Sequence, residues 1–318
     1  MFLTIFYHIF QISHFCIDSQ FLVIFALQNI INKNALFKME TQKIWLITGC
    51  STGIGYILAE TLLKNGHKVA VTARNLDEIK IFEEKYPENT LLLSLDVNDL
   101  TSIQKSVQQA ITHFGKIDVL VNNAGYGLMG AVEEMASEDI RDLFETNVFG
   151  LYEVTRAVLP QMRKQKSGHI INIASMAGFV ASAGFSAYAA TKFSVEAISE
   201  SLQREVAHLG IKVTIIEPGA FRTDWAGRSF KFSANEIEDY NASSGKLRDL
   251  FKGNYSGNQK GDPEKAAKAI MMIASHENPP LHLALGKDAL ERIRMKLKAV
   301  EKDLNEWEDL SKSMEFDN

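Results

Sequence analysis

"LITGCSTGIGY" occupies residues 46–56. It leaves an apolar run and fills six of the eight positions 48–55 with glycine, serine or threonine before a helical pattern begins. Such residues are poor formers of helix interiors, so propensity does not account for them. A loop with little side chain has a physical use, however: its backbone N–H groups can close on an anion at a helix start. Gly49 permits a tight exit from the strand, Gly53 lets a phosphate group approach the backbone, and Gly55 lets the helix pack on its sheet. Ser51 and Thr52 add hydroxyl donors, and Ile54 completes the candidate contact set. The spacing, T-G-x-x-x-G-x-G, differs from the simpler G-x-G-x-x-G, and a purely structural turn is the rival reading. Its place between a strand and a helix favours the anion.

Outward from this loop, short apolar runs alternate with amphipathic stretches. Residues 43–49, 67–73, 90–97, 116–125, 168–175, 212–219 and 279–286 read as strands. Residues 53–65, 75–86, 99–114, 137–162, 186–208 and 262–275 read as helices, the last opened by Asp262-Pro263 as N-cap and first helical residue. Strands without clean alternation, separated by helices, predict an α/β fold whose parallel sheet is covered on both faces. Right-handed crossovers make it a doubly wound, Rossmann-like single domain. The pattern weakens over 220–260, a mixed stretch rich in aromatic, Gly, Asn and Ser residues. It is long for a connection and is read as a helical substrate lid, with a solvated surface insert as the alternative. The acidic C-terminal end reads as a solvated helix and tail.

The 318 residues are 46% hydrophobic and 23% charged, which is ordinary for a globular chain. A net charge of -5 without a long basic run argues against a nucleic-acid partner. Cys16 and Cys50 are the only cysteines, so a disulfide framework is not expected and a cytoplasmic, reducing compartment fits. No CxxC or HExxH spacing suggests a metal. Residues 1–38 differ from the rest, with seven of the 19 phenylalanines and only Asp18, Lys33 and Lys38 charged. They are read as an apolar extension outside a folded unit spanning 39–318. A membrane anchor over 1–31 or a cleaved signal are the alternatives, although Asp18, Ser19 and Gln20 interrupt the run and no basic segment precedes it.

At the end of the second strand, an acidic residue would hold a ribose 2′-hydroxyl of a dinucleotide. This chain has Arg74 there instead, within "TARN". A guanidinium fork suits a 2′-phosphate, so NADP(H) is expected in preference to NAD(H). Tyr188 and Lys192 stand in "YAATK", where spacing four puts them on one helix face. A nearby ammonium favours the phenolate, and a tyrosine so tuned can exchange a proton with a carbonyl oxygen. Of the eight tyrosines, only Tyr188 has lysine four positions on. Ser175 ends the strand "IINIAS", on the side where such sheets bind ligands. Asn147 sits within a predicted helix, where asparagine has poor propensity, and could hold a water in a proton path. Alone, each has a plain structural reading: a solvated helix face, a strand-end turn, a side-chain-to-backbone bond.

Taken in order, TGxxxGIG, "NNAG" at 122–125, "TN" at 146–147, Ser175, YxxxK and "PG" at 218–219 resemble the short-chain dehydrogenase/reductase family. "TARNLD", "EPGAFRTDW" and "NPPLHLALG" are similar to the branch of 17β-hydroxysteroid and retinol dehydrogenases. The resemblance implies a catalytic set of Asn147, Ser175, Tyr188 and Lys192. It implies that Asp96 and Val97 flank the adenine and that Asn123, Ala124 and Gly125 line the adenosine ribose side. Tyr188 and Lys192 would also contact the nicotinamide half, Lys192 through the ribose hydroxyls, and Pro218, Gly219 and Thr223 would embrace its amide end. Ala174 stands where a second serine is frequent, and Cys50 occupies a variable loop site. The expected activity is NADP(H)-dependent interconversion of an alcohol and a ketone or aldehyde, CH–OH chemistry. Phe221, Trp225, Phe230 and Phe232 suggest an apolar substrate. A catalytically silent nucleotide-binding scaffold and a 3-oxoacyl carrier-protein reductase are the rivals. The resemblance also implies a homo-oligomer formed through the helices around 137–162 and 186–208.

Overall fold

Strand β1 (Ile44–Ile47) pairs in parallel with β2 (Lys68–Ala73) on one side and β4 (Val119–Asn122) on the other. The computed structural model describes residues 42–316, Asn254 excepted, in one unit that begins at Gln42; the expectations about residues 1–38 lie outside the described residues. Beyond β2 lies β3 (Thr90–Ser94). Beyond β4 lie β6 (Gly168–Ile173), β7 (Ile211–Pro218) and β9 (His282–Leu285). The order β3-β2-β1-β4-β6-β7-β9, every pairing parallel, is a doubly wound, Rossmann-like sheet. The chain reverses its direction of travel between β1 and β4, which opens a crevice at their C-terminal ends.

Both faces of the sheet are covered, so neighbouring strand residues divide between two cores. Trp45, Ile47, Val69, Val71, Val119 and Val121 pack with α1 (Gly53–Lys64) and α8 (Pro263–Ser275). Leu46, Ala70 and Leu120 pack on the other face with α3 (Leu100–Phe114), α5 (Leu151–Gln165) and α6 (Ser186–Val206). Asp262 caps α8 as expected, its Oδ1 accepting the N–H groups of Glu264 and Lys265. The short α2 (Lys80–Lys85) follows a single 3₁₀ turn rather than forming one helix from residue 75. The helix expected over 137–162 is α4 (Ser137–Phe144) and α5 joined by a π-helical turn at Glu145–Gly150, with Asn147 inside it.

The 220–260 segment is only partly helical. It contains α7 (Lys246–Lys252) and also a three-residue strand, β8 (Phe230–Phe232), which pairs in parallel with β5 (Gly127–Met129). Gly127 makes this contact feasible, since a Cβ there would lie 2.5 Å from the Phe230 ring and 2.7 Å from the Trp225 ring. The segment is anchored by a buried ion pair. Glu134 Oε1 accepts from Arg248 Nη1 at 3.0 Å and from the N–H of Ile237 at 2.9 Å, and Oε2 accepts from the N–H of Ala131 at 2.7 Å. Burial alone would raise the Glu134 carboxyl, but these three donors hold it below the ordinary range. A second cluster, with Glu196 and Glu217 buried and His282 at the surface, joins α6, β7 and β9. His282 Nδ1 lies 2.9 Å from Glu217 Oε1 and 3.5 Å from Glu196 Oε2. Burial, with the neighbouring Glu217, pushes the Glu196 carboxyl from 4.5 up to about 9 against the pull of Lys192.

Each cluster yields an expected outcome. Arg248→Met strands a buried carboxylate and costs about 3–5 kcal/mol in chemical denaturation, while the double variant Arg248→Met/Glu134→Gln recovers part of it; a cost within experimental error removes the anchor. The folded state holds the Glu196 proton more tightly than the unfolded state does. Its contribution to stability is therefore full below pH 4.5 and is lost as pH rises towards about 9. Glu196→Gln, scanned by calorimetry, gains several degrees in Tm over wild type between pH 5 and pH 9. A difference that does not change with pH contradicts the assignment.

Candidate active site

The loop after β1 is built around Thr48. Its Oγ1 accepts the N–H groups of Asn123 at 2.9 Å and Ala124 at 3.0 Å, which joins the exits of β1 and β4. Asn123 Nδ2 returns the contact, donating to the carbonyls of Thr48 at 2.9 Å and Gly49 at 2.8 Å. Gly49 takes the left-handed conformation this path requires, at φ 71°. Cys50 is fully buried; its N–H donates to Thr72 O at 2.7 Å, its Sγ bonds Ile47 O, and burial pushes its thiol up to about 12. Thr52 precedes α1 without a side-chain cap, so the first N–H groups of the helix are left to the space in front of it. Gly53, at φ 64°, faces open space there: a Cβ would meet nothing within 4 Å.

That space is one end of a cavity of about 850 Å³ at the C-terminal edge of the sheet. Of the residues singled out in the sequence, Gly49, Ser51, Thr52, Gly53, Ile54, Arg74, Asp96, Val97, Asn123, Ala124, Gly125, Ser175, Tyr188, Lys192, Pro218, Gly219 and Thr223 line it. Gly55 and Asn147 do not. Gly55 is turned against the clamp, where a Cβ would lie 2.4 Å from Asn123 Nδ2. Asn147 is buried one layer behind: Oδ1 accepts from Tyr126 N at 3.0 Å, and Nδ2 donates to Tyr126 O at 2.9 Å and to Thr191 Oγ1 at 3.2 Å. Its amide holds the backbone beside Gly125 and the helix turn carrying Tyr188, so both Nδ2 protons are committed to protein atoms rather than to a water.

At the other end, α6 presents Tyr188 and Lys192 one turn apart, and Ser175 begins the 3₁₀ turn Met176–Gly178 after β6. Ser175 Oγ accepts the Ala177 N–H at 3.1 Å. Burial pushes the Tyr188 phenol well above its ordinary value, and the hydrogen-bonded Ser175 hydroxyl acts in the opposite direction. Lys192 Nζ donates to Ile173 O at 2.8 Å and lies 5.8 Å from the centre of the Tyr188 ring. Burial lowers the ammonium from 10.5 to about 8, with Glu196 opposing. In this arrangement burial, rather than the lysine, dominates the phenol, and the sequence spacing alone does not reveal that balance.

Aromatic rings close one wall. Trp225 lies 5.3 Å from Tyr188 and 5.0 Å from Phe230, and Phe185 packs edge-on to Tyr188, Phe230 and Phe251. Arg74 is exposed at the far end and makes no ion pair among the described residues. The nearby Glu78 is taken by Arg228, Nη1 to Oε1 at 3.0 Å, across 150 positions of sequence. Sequence reasoning missed this contact, as it missed Thr191 and Asp288. Asp288 Oδ2 accepts the Ala220 N–H at 2.8 Å and supports the turn after Pro218-Gly219. Thr223 Oγ1 accepts the Trp225 N–H at 3.3 Å.

The short chain dehydrogenase family model matches residues 43–233, from β1 through β8. The chain is similar to Oxidoreductase BOA17 of Botryotinia fuckeliana, 37% identical over 270 residues that cover 85% of this chain and 98% of that one. The crystal structure of a short-chain dehydrogenase from Streptomyces avermitilis superposes with a TM-score of 0.81 at 43% identity, covering 87% of this chain and 99% of the other. The closed form of serine dehydrogenase complexed with NADP+ gives a TM-score of 0.66 at 29% identity, over 76% and 94%. A switch-point cavity on a seven-stranded parallel sheet, carrying these motifs in this order, has one family explanation: the chain belongs to the short-chain dehydrogenases, a family of oxidoreductases.

Proposed function

We propose that the chain is an NADP(H)-dependent oxidoreductase that interconverts an alcohol and a ketone or aldehyde on an apolar substrate. The observation that carries this reading is that Ser175, Tyr188 and Lys192 open into the same cavity as the glycine loop and Arg74. The residues present fit a nicotinamide dinucleotide: an uncapped helix start, the open face of Gly53 and a guanidinium that makes no ion pair among the described residues, Glu78 being taken by Arg228, suit a phosphorylated ligand. The glycine loop would hold the pyrophosphate, Arg74 the 2′-phosphate, and Asp96 and Val97 the adenine. Ala124 and Gly125 would line the adenosine ribose, with Asn123 acting through the loop it clamps. Pro218, Gly219 and Thr223 would take the nicotinamide end. When bound, such a cofactor supplies or accepts the hydride.

The protein's own part is proton handling and orientation. Ser175 offers its hydroxyl to the substrate oxygen beside Tyr188. Because burial keeps the Tyr188 phenol protonated at neutral pH, its hydroxyl is poised to give a proton to a carbonyl oxygen. The Lys192 ammonium stabilises the phenolate left behind, and Asn147 is a positioning residue that fixes Tyr126 and Thr191 around the pair. Trp225, Phe185, Phe230 and Phe251 leave an apolar surface for the rest of the substrate. Phe149, Tyr152 and Phe193 are exposed on the helices assigned to subunit contact, consistent with a homo-oligomer.

A panel of ketones and aldehydes followed by NADPH and NADH loss tests the activity. With an accepted carbonyl, Tyr188→Phe lowers kcat by about 10²–10⁴-fold while NADPH binding, read by fluorescence, is retained; near-wild-type turnover refutes the role. Arg74→Ala raises KM for NADPH about 10–100-fold and leaves KM for NADH nearly unchanged, as loss of a charge-assisted contact requires. Equal effects on the two cofactors would show that Arg74 does not read the 2′-phosphate.

A further inference from the structure

Helix α9 (Lys287–Glu306) leaves the body of the protein within two turns. Ala289 and Ile293 are buried against the body, and Arg292 Nη2 donates to Ser182 Oγ at 2.8 Å. From Arg294 through Phe316 every residue is exposed, along the rest of α9 and the short α10 (Glu308–Lys312) that follows it. Yet this run is not polar all round. Leu290, Ile293, Leu297, Val300, Leu304 and Trp307 succeed one another at intervals of 3, 4, 3, 4 and 3 residues. Leu297 is 54% exposed, Leu304 66% and Trp307 59%. Alternation of three and four gives about 3.5 residues per turn, the period of an apolar seam that faces another helix. An isolated helix draws most of its stability from such a face being packed, and here the seam starts on the body and runs off it.

The charges beside the seam define what would cover it. From Arg292 to Lys298 the charged residues are Arg292, Arg294, Lys296 and Lys298, all basic. From Glu301 to Asp309 they are Glu301, Lys302, Asp303, Glu306, Glu308 and Asp309, five acidic and one basic. Two copies side by side in parallel would bring like charges together; antiparallel, each basic half meets an acidic half. Residues 1–38, with three charged side chains, offer no such complement, and the acidic half disfavours an anionic lipid surface. We propose that the α9 seam is a self-association surface that pairs antiparallel with the same helix of a second copy, Leu297 against Trp307 and Val300 against Leu304.

Sedimentation of the full-length chain reads this directly. The wild type has twice the assembly mass of Leu304→Glu, of Arg294→Glu/Lys296→Glu and of Glu306→Lys/Glu308→Lys, all substitutions at exposed positions whose folding is checked by Tm. Mixing the two charge-reversed variants restores the wild-type mass. In a Cys16→Ser background, mild oxidation links Val300→Cys to Leu304→Cys when the two are mixed and leaves each alone unlinked. A wild-type mass equal to that of the variants overturns the proposal, as does a seam taken up by phosphatidylcholine/phosphatidylserine vesicles without change in mass. Linking of Val300→Cys to itself overturns the antiparallel arrangement.

Discussion

The reciprocal clamp between Thr48 and Asn123 holds the crevice in shape. One hydroxyl accepts two successive backbone N–H groups, and one amide satisfies two carbonyls of the loop it faces. Each bond contributes only about 1 kcal/mol net, but together they leave the exits of β1 and β4 little choice of path. The glycine loop is therefore shaped before any ligand arrives, which lowers the ordering cost of binding. A buried polar ladder below continues the theme. Asn122 donates to Thr155 and Asn172, and Asn172 donates to Ser199, tying α5 and α6 to the central strands. The helix that carries Tyr188 and Lys192 is thus fixed to the sheet by directional bonds as well as by apolar packing.

Much of this was legible in the sequence because its signals are local. Apolar runs punctuated by glycine located the strands of the main sheet, and the four-residue interval placed Tyr188 and Lys192 on one face. What was not legible depends on contacts between distant segments. The π turn at Asn147 has the same apolar periodicity as the helix it interrupts, so nothing marked it except an asparagine in a poor place. Strands β5 and β8 are three residues each and lie about a hundred positions apart in the chain, too short for a period to show. The balance at Lys192 rests on its burial and on Glu196, whose environment in turn requires the register of β9. At the C-terminus the dense charge concealed the seam, and the stretch read as merely solvated.

The segment over the cavity is held by two unequal ion pairs. Glu134 and Arg248 are buried, with the carboxylate further bonded to backbone N–H groups, whereas Glu78 and Arg228 meet in solvent. An exposed pair contributes at most about 1 kcal/mol and weakens with salt, while breaking a buried one is costly. One edge of the aromatic wall is therefore strongly fixed and the other only lightly, and the same segment supplies both Trp225 beside Tyr188 and Arg228 near the Arg74 end.

Cys50 gives the glycine loop a further property. Sulfur chemistry in proteins runs through the thiolate, and here burial and the Ile47 carbonyl hold the group as an un-ionised thiol away from water. Peroxides and electrophiles consequently find no ready nucleophile at this position of the glycine loop. The chain thus carries an oxidisable atom between two residues that line the crevice, Gly49 and Ser51, and keeps it in the apolar core.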